Sequence, residues 1–147
     1  ASGRVGQGLV LNGVNASLGC DDNQIDNNTC NDNGLVGIWL IRFCSGNNVV
    51  NNTANGNWRS PNVTTFANAG IALGNPTNPA QLPSEFPRGN RVLSNTALDN
   101  AIVAPRSWDV IDKTVLIGEC DNLWRNNDFV KDNETGADAG PKSGCIR

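Results

Sequence analysis

The chain contains no histidine, no methionine and no tyrosine. Without histidine it holds no Ser-His-Asp triad, no imidazole general base and no His-ligated zinc. Without methionine its first residue is not an initiator, and Ala1-Ser2-Gly3 suits the start of a chain matured by signal-peptide removal. Apolar residues never run on for the roughly 20 positions a membrane-spanning helix requires, so no membrane span is expected. Eleven Lys and Arg are scattered among 14 Asp and Glu and form no basic stripe, which argues against a nucleic-acid partner. Five cysteines include no CxxC pair, which argues against a structural zinc site. No stretch carries the pattern of a two-turn helix, and no cofactor is expected.

What the chain has in abundance is asparagine, with 24 Asn beside 16 Gly in 147 residues. That enrichment favours tight turns and left-handed backbone positions over long helices. The asparagines recur in a frame. Asn47-Asn48-Val49-Val50-Asn51-Asn52-Thr53-Ala54 is its clearest copy, and Asn23 to Cys30, Asn90 to Ala97 and, more loosely, Asn122 to Phe129 repeat it. Each copy reads Asn, any residue, apolar, two free positions, Asn, Thr or Asp, then a residue able to face inward. The frames start 24, 43 and 32 residues apart. A stacked coil of chain takes roughly 20 to 25 residues, so the first step is one coil and the longer steps carry insertions or a degenerate coil.

Short apolar runs precede the frames: Leu9-Val10-Leu11, Ile38 to Ile41, Ile71-Ala72-Leu73 and Val115-Leu116-Ile117, the first three after Gly8, Gly37 and Gly70. Too short for helices and bounded by Gly and Asn, they read as strands. Asn57 to Asn68 and Asn75 to Arg88 read as insertions, the second an exposed loop because Pro76, Pro79, Pro83 and Pro87 cannot sit in a ladder. Ala101-Ile102-Val103 is a further coil candidate, with Trp108 to Ile111 beside it. The whole chain reads as one domain: a lead over 1–7, coils over 8–130, and a Gly-rich tail over 131–147 that closes or drapes over the last coil.

Coils stacked at the ordinary interstrand spacing of about 4.8 Å place equivalent positions on top of one another. Ile25, Val49, Val92 and Trp124 then form one inward stack, and Cys30, Ala54, Ala97 and Phe129 another. Asn28, Asn52, Asn95 and Asn127 form a ladder, each residue in the left-handed region with its amide bonded to the asparagines above and below. The alternative is that these asparagines only mark loops. The pattern Gly-Ile-x-Leu followed by Asn-Asn-x-Val-x-Asn-Asn resembles the right-handed parallel β-helix repeat proteins of the pectate-lyase-like superfamily, over roughly Gly8 to Phe129. The resemblance implies an all-β solenoid of about four to six coils with loop insertions and an irregular tail.

Two kinds of function fit that resemblance. In its polysaccharide-cleaving members, clustered Asp residues, a Gly-His-Gly motif, or calcium with an Arg or Lys base carry the chemistry. Here the motif is missing, and the remaining candidates are Asp21, Asp22 and Asp26 for calcium with Arg42 as base, although Asp is also ordinary in turns. Sugar contact would fall to Trp58 and Trp108, which lie near loops, while Trp39 and Trp124 read as core. The other reading is a secreted or cell-surface structural protein, non-enzymatic and self-associating end to end through open strand edges. Cys20 and Cys44 hold the same phase on adjacent coils and are expected to form a disulfide; Cys120 with Cys145 would tie down the tail, leaving Cys30 unpaired. Candidate glycosylation sequons stand at Asn15, Asn27, Asn51, Asn62 and Asn133.

Overall fold

The computed structural model describes residues 6–57, 69–74, 81–100, 108–113, 120–134, 141 and 144–147. Within them lie eight three-residue strands: β1 (Leu9–Leu11), β2 (Gln24–Asp26), β3 (Ile38–Leu40), β4 (Asn48–Val50), β5 (Ile71–Leu73), β6 (Arg91–Leu93), β7 (Val110–Asp112) and β8 (Leu123–Arg125). Odd strands form one parallel sheet in the order β1-β3-β5-β7, and even strands a second in the order β2-β4-β6-β8. The chain therefore alternates between sheets, and each round of two strands lies beside the round before it. Among the described residues the only helical element is the 3-10 turn Pro83–Glu85; no helix there is long and apolar enough to cross a membrane.

The asparagine frame sets the register of the second sheet. Ile25 pairs with Val49, Val49 with Val92, and Val92 with Trp124. All four are buried while their neighbours on β2 and β8 stay exposed, the alternation a half-buried strand requires. Thr29, Thr53, Thr96 and Asp128 continue the pairing as parallel bridges. Beyond them Cys30, Ala54, Ala97 and Phe129 pack on the same core.

From β3 through β7 the first sheet is buried on both faces, while Val10 on the outermost strand β1 is exposed. Ile38, Leu40, Ile71, Leu73 and Val110 point at the second sheet, where they meet Ile25, Val49, Val92, Trp124 and Ile146. On the opposite face Trp39, Ala72 and Ile111 stack in register and join Val36 and Ala69, with Ile41 and Trp108 half-buried against them. Trp39 Nε1 donates to the Gly74 carbonyl at 2.8 Å, which satisfies its polar end inside that apolar layer.

The fourth strand of the first sheet is Val110–Asp112; the expected strand at Val115-Leu116-Ile117 and the coil candidate Ala101-Ile102-Val103 lie outside the described residues. One expectation is corrected here. The loop around the prolines is not wholly exposed. Gln81, Phe86 and Pro87 are buried, and Gln81 Nε2 donates to the Ile41 carbonyl at 2.9 Å. Pro76 and Pro79 lie outside the described residues.

The sharp corners come from the residue before each ladder asparagine, not from the ladder asparagine itself as expected. Asn27, Asn51, Ser94 and Asn126 sit at φ 56°, immediately ahead of Asn28, Asn52, Asn95 and Asn127. Asp22, Asp32, Asp99, Gly46, Gly56 and Gly89 play the same part in neighbouring columns. A corner residue with φ above zero turns the chain and leaves the following side chain pointing inward, which is why Asn, Asp and Gly occupy all of these corners but Ser94.

Candidate functional site

The five-residue recurrence inside the frame builds three asparagine ladders rather than one. The first runs Asn23, Asn47, Asn90, Asn122; the second Asn28, Asn52, Asn95, Asn127; the third Asn33, Asn57, Asn100. Every rung has one geometry. The backbone N–H and the Nδ2 of one asparagine both donate to the Oδ1 of its counterpart in the next round. For Asn52 on Asn95 these distances are 2.8 and 3.0 Å; for Asn47 on Asn90 they are 2.9 and 3.0 Å. In the first two ladders, from Asn47 and Asn52 onward, the second Nδ2 hydrogen reaches a backbone carbonyl of the preceding round, as Asn52 does to Ile25 and Asn95 to Val49, each at 2.8 Å. The buried amides of those two ladders are thereby fully partnered, which makes Asn tolerable in the interior.

The third ladder explains the glycines ahead of the first-sheet strands. A Cβ on Gly37 would stand 2.6 Å from Asn57 Nδ2, and one on Gly70 would stand 2.5 Å from Asn100 Nδ2. Only a residue without a side chain lets the backbone pass that close to the amide.

The ladders run in one direction, and their donor end is closed within the chain. Asp112 Oδ1 accepts the Asn122 amide at 2.9 Å while its Oδ2 accepts Trp124 Nε1 at 2.7 Å. Asp109 Oδ1 accepts the Asn100 backbone and amide at 3.1 and 3.2 Å, and its Oδ2 takes the backbone N–H of Val130 and Lys131. The Arg147 carbonyl accepts both donors of Asn127. A disulfide joins Cys120 to Cys145 at a Cα separation of 5.4 Å. Glu134 receives the Gly144 and Ile146 backbone N–H groups, and the Ile146 side chain enters the core. Burial raises the Asp112 carboxyl to about 7, against the partial relief given by Trp124 and Asn122.

At the opposite end, Asn23, Asn28 and Asn33 donate onward to Asn47, Asn52 and Asn57. Their own Oδ1 atoms accept nothing from the described residues. Asn23 is exposed, and Asn28 and Asn33 are half-exposed.

Cys20 and Cys44 stand side by side on adjacent rounds, with Cys20 N–H on the Phe43 carbonyl at 2.8 Å. The expected disulfide between them is not formed: both are free thiols, as is Cys30. The Cys44 thiol instead lies 3.0 Å from the Arg42 carbonyl, where it donates. Burial first, and the adjacent Cys20 thiol second, push the Cys44 thiol up to about 11.

The calcium candidates are engaged separately rather than gathered. Asp21 Oδ1 accepts the Ser45 N–H at 2.7 Å, Asp26 Oδ1 accepts Asn51 Nδ2 at 3.3 Å, and Asp22 is a corner residue. Among the described residues no group of three or more Cys, Asp and Glu is placed to hold a metal ion. Arg42 reaches the Asn12 side chain at 3.5 Å. Trp58 and Asn62 lie outside the described residues, and Trp108 is half-buried against Ile111 and its neighbours. Of the sequons, Asn15, Asn27 and Asn51 are exposed. Asn133 is corrected as a glycan site: it is buried, donates to the Asp112 carbonyl at 2.8 Å and accepts the Asp112 N–H.

One cleft, of about 230 Å³, is lined by Ala16, Asp21, Phe43, Ser45, Ser84, Phe86 and Arg88. Phe43 is held at φ 49° there, pinned by Cys20 on its carbonyl and by its own N–H on Glu85. A bulky side chain in the left-handed region stores strain.

Sequence reasoning anticipated the middle ladder but missed the other two and their acidic terminators, although the five-residue step from Asn23 to Asn28 to Asn33 was visible. Compared with family models, with curated proteins and with solved structures, this chain matches none.

Proposed function

We propose that the chain is a right-handed parallel β-helix serving as a secreted or cell-surface structural module, joined to its partner through one end. The observation that carries this reading is the set of three one-way asparagine ladders, closed at one end by Asp109, Asp112 and Arg147. Stacked rounds with satisfied interior amides make a stiff rod whose stability adds along its length. An open filament needs a donor end and an acceptor end on every subunit. Here the donors are already bonded, so end-to-end contact falls to the first round alone. On this reading the module meets its partner through one end, an alternative to the end-to-end self-association expected from the sequence. The test is thermal denaturation and light scattering over a concentration series, with neutral and acidic oligosaccharides added. The expected result is an unchanged Tm with every sugar and no growth into fibres. Fibres, or a saturable rise in Tm with a sugar, overturn it.

A second reading rests on the cleft beside Phe43. Its aromatic rings, with Arg88, Asp21 and the Ser45 and Ser84 hydroxyls, offer stacking and polar contacts of the kind a sugar uses. A Tm rise with an oligosaccharide that disappears in Arg88→Ala supports a carbohydrate-binding domain.

A further inference from the structure

The first-round edge differs from every other level of the molecule. From Asn47 upward, each ladder asparagine Oδ1 receives two donors, a backbone N–H and an Nδ2, from the round before. Asn23, Asn28 and Asn33 carry the same acceptor at the same five-residue spacing, and among the described residues nothing donates to it. Beside them β1 and β2 are the outermost strands of their sheets. The edge is thus a direct continuation of the interface that joins β2 to β4 and β4 to β6.

We propose that this edge docks an extended polypeptide segment of a separate chain that carries asparagines at five-residue intervals. The ladder polarity selects that occupant. What must arrive is a backbone N–H and an amide Nδ2 converging on each Oδ1, which is what an Asn-x-x-x-x-Asn-x-x-x-x-Asn segment with left-handed residues ahead of its asparagines presents. This is strand addition to a sheet edge, with amide pairing in place of side-chain pockets as the source of specificity. A second copy of this chain does not fit. Its first round offers oxygen against oxygen, and its last-round donors are held by Asp109, Asp112 and Arg147. The inference specifies the partner of the one-ended module proposed above and rests on that reading.

The experiment uses the full chain and a synthetic peptide with the sequence of residues 46–57, which contains Asn47, Asn52 and Asn57 behind Gly46, Asn51 and Gly56. Binding is followed by amide NMR shifts and hydrogen exchange. The expected result is saturable binding, with new protection confined to β2 and the Asn23–Asn33 stretch around it. A peptide with the three asparagines replaced by Ala binds at least about tenfold weaker, a loss of about 1.4 kcal/mol. Asn28→Leu in the protein weakens the native peptide similarly, while its backbone N–H still reaches Asn52; a thermal melt confirms that it folds. Asn33→Leu provides an independent second site. No binding at millimolar peptide overturns the proposal, as does binding indifferent to the alanine replacements. Concentration-dependent dimerisation through the same amides, without peptide, overturns it in favour of a second copy. Each of these leaves the structural-module reading standing if no sugar binds and no fibres form.

Discussion

Asp112 Oδ1 accepts the Asn122 amide at 2.9 Å, in the position where each lower rung of that column has an asparagine oxygen. A carboxylate can receive amide donors but cannot pass any on, so it ends a ladder. The same logic holds for Asp109 beneath Asn100. A run of amides that donate in one direction must finish on an acceptor, and acidic residues do so with two oxygens each.

The buried position of Asp112 has a pH consequence. Its carboxyl is raised from the ordinary 3.8 to about 7, chiefly by burial. A carboxyl raised on folding binds its proton more tightly in the native state. Its contribution to stability is therefore complete below about pH 4 and is lost as pH rises through about 7. Asp132 shifts in the same direction, also through burial. The expected outcome is a Tm that declines between about pH 4 and pH 7 and levels off above. Asp112→Asn flattens that decline, but its NH2 must face either Trp124 Nε1 or the Asn122 amide, so its Tm in acid is lower than wild type. A Tm independent of pH in the wild type contradicts the assignment.

Asn52 is 1% exposed and sits at the centre of the middle ladder. Its Oδ1 accepts the Asn28 backbone and amide at 2.9 and 3.0 Å, and its Nδ2 serves Ile25, Val50 and Asn95. Asn52→Ala leaves buried donors and acceptors without partners, at about 1–3 kcal/mol. Asn28→Ala removes a side chain that only donates, to Asn52 and the Asp26 carbonyl, at a half-exposed site. Urea denaturation is expected to give a clearly larger loss for Asn52→Ala. Equal losses contradict a buried ladder.

The second sheet was legible in the sequence because its determinants are local. The apolar third position and the two asparagines of each frame fix register by themselves, and Ile25, Val49, Val92 and Trp124 stack as the phase requires. Val110–Asp112 was not legible as the last strand of the first sheet. An Asp ends it, while Val115-Leu116-Ile117 offers the more apolar run; only the proximity of Asn122 and Trp124 makes that Asp an asset. The closure of the middle ladder was invisible for a different reason. Arg147 closes it with a backbone carbonyl, which any residue supplies. The corners were misassigned by one residue, because Asn suits both the left-handed corner at Asn51 and the inward amide at Asn52.

Cys20 and Cys44 are free but adjacent, and their thiols interact. Exchange with oxidised glutathione is expected to join them, with two equivalents of reduced glutathione released and no loss of the strand signature in circular dichroism. Cys30 faces Ala54 across the next round and finds no cysteine there, so it stays reduced. Peptide mapping after oxidation checks this. A Cys20–Cys30 link contradicts the adjacency. The high position of the Cys44 thiol makes it a poor nucleophile near neutrality, so exchange at Cys44 quickens with rising pH.

The Cys120–Cys145 disulfide, with a sequence separation of 25 residues, holds the closing segment over the last round. Cross-linking a loop of that length stabilises by about 3 kcal/mol in the chain-entropy account. Cys145→Ala is therefore expected to lower the urea midpoint. Its effect reaches further than the tail. Releasing residues 144–147 frees the Arg147 carbonyl from Asn127, withdraws Ile146 from the core and leaves Glu134 without its two backbone donors. Hydrogen exchange locates the damage: the Asn127 backbone amide should lose protection first, while that of Asn52, two rounds away, changes little. The same variant exposes a ladder donor at Asn127 in a molecule whose Asn28 acceptor is already free. Light scattering should then show head-to-tail association in Cys145→Ala that the wild type lacks, and adding Asn28→Leu should abolish it. A Cys145→Ala protein that remains monomeric at high concentration, with Asn127 demonstrably exposed, contradicts the role assigned to the closing segment in keeping the module one-ended.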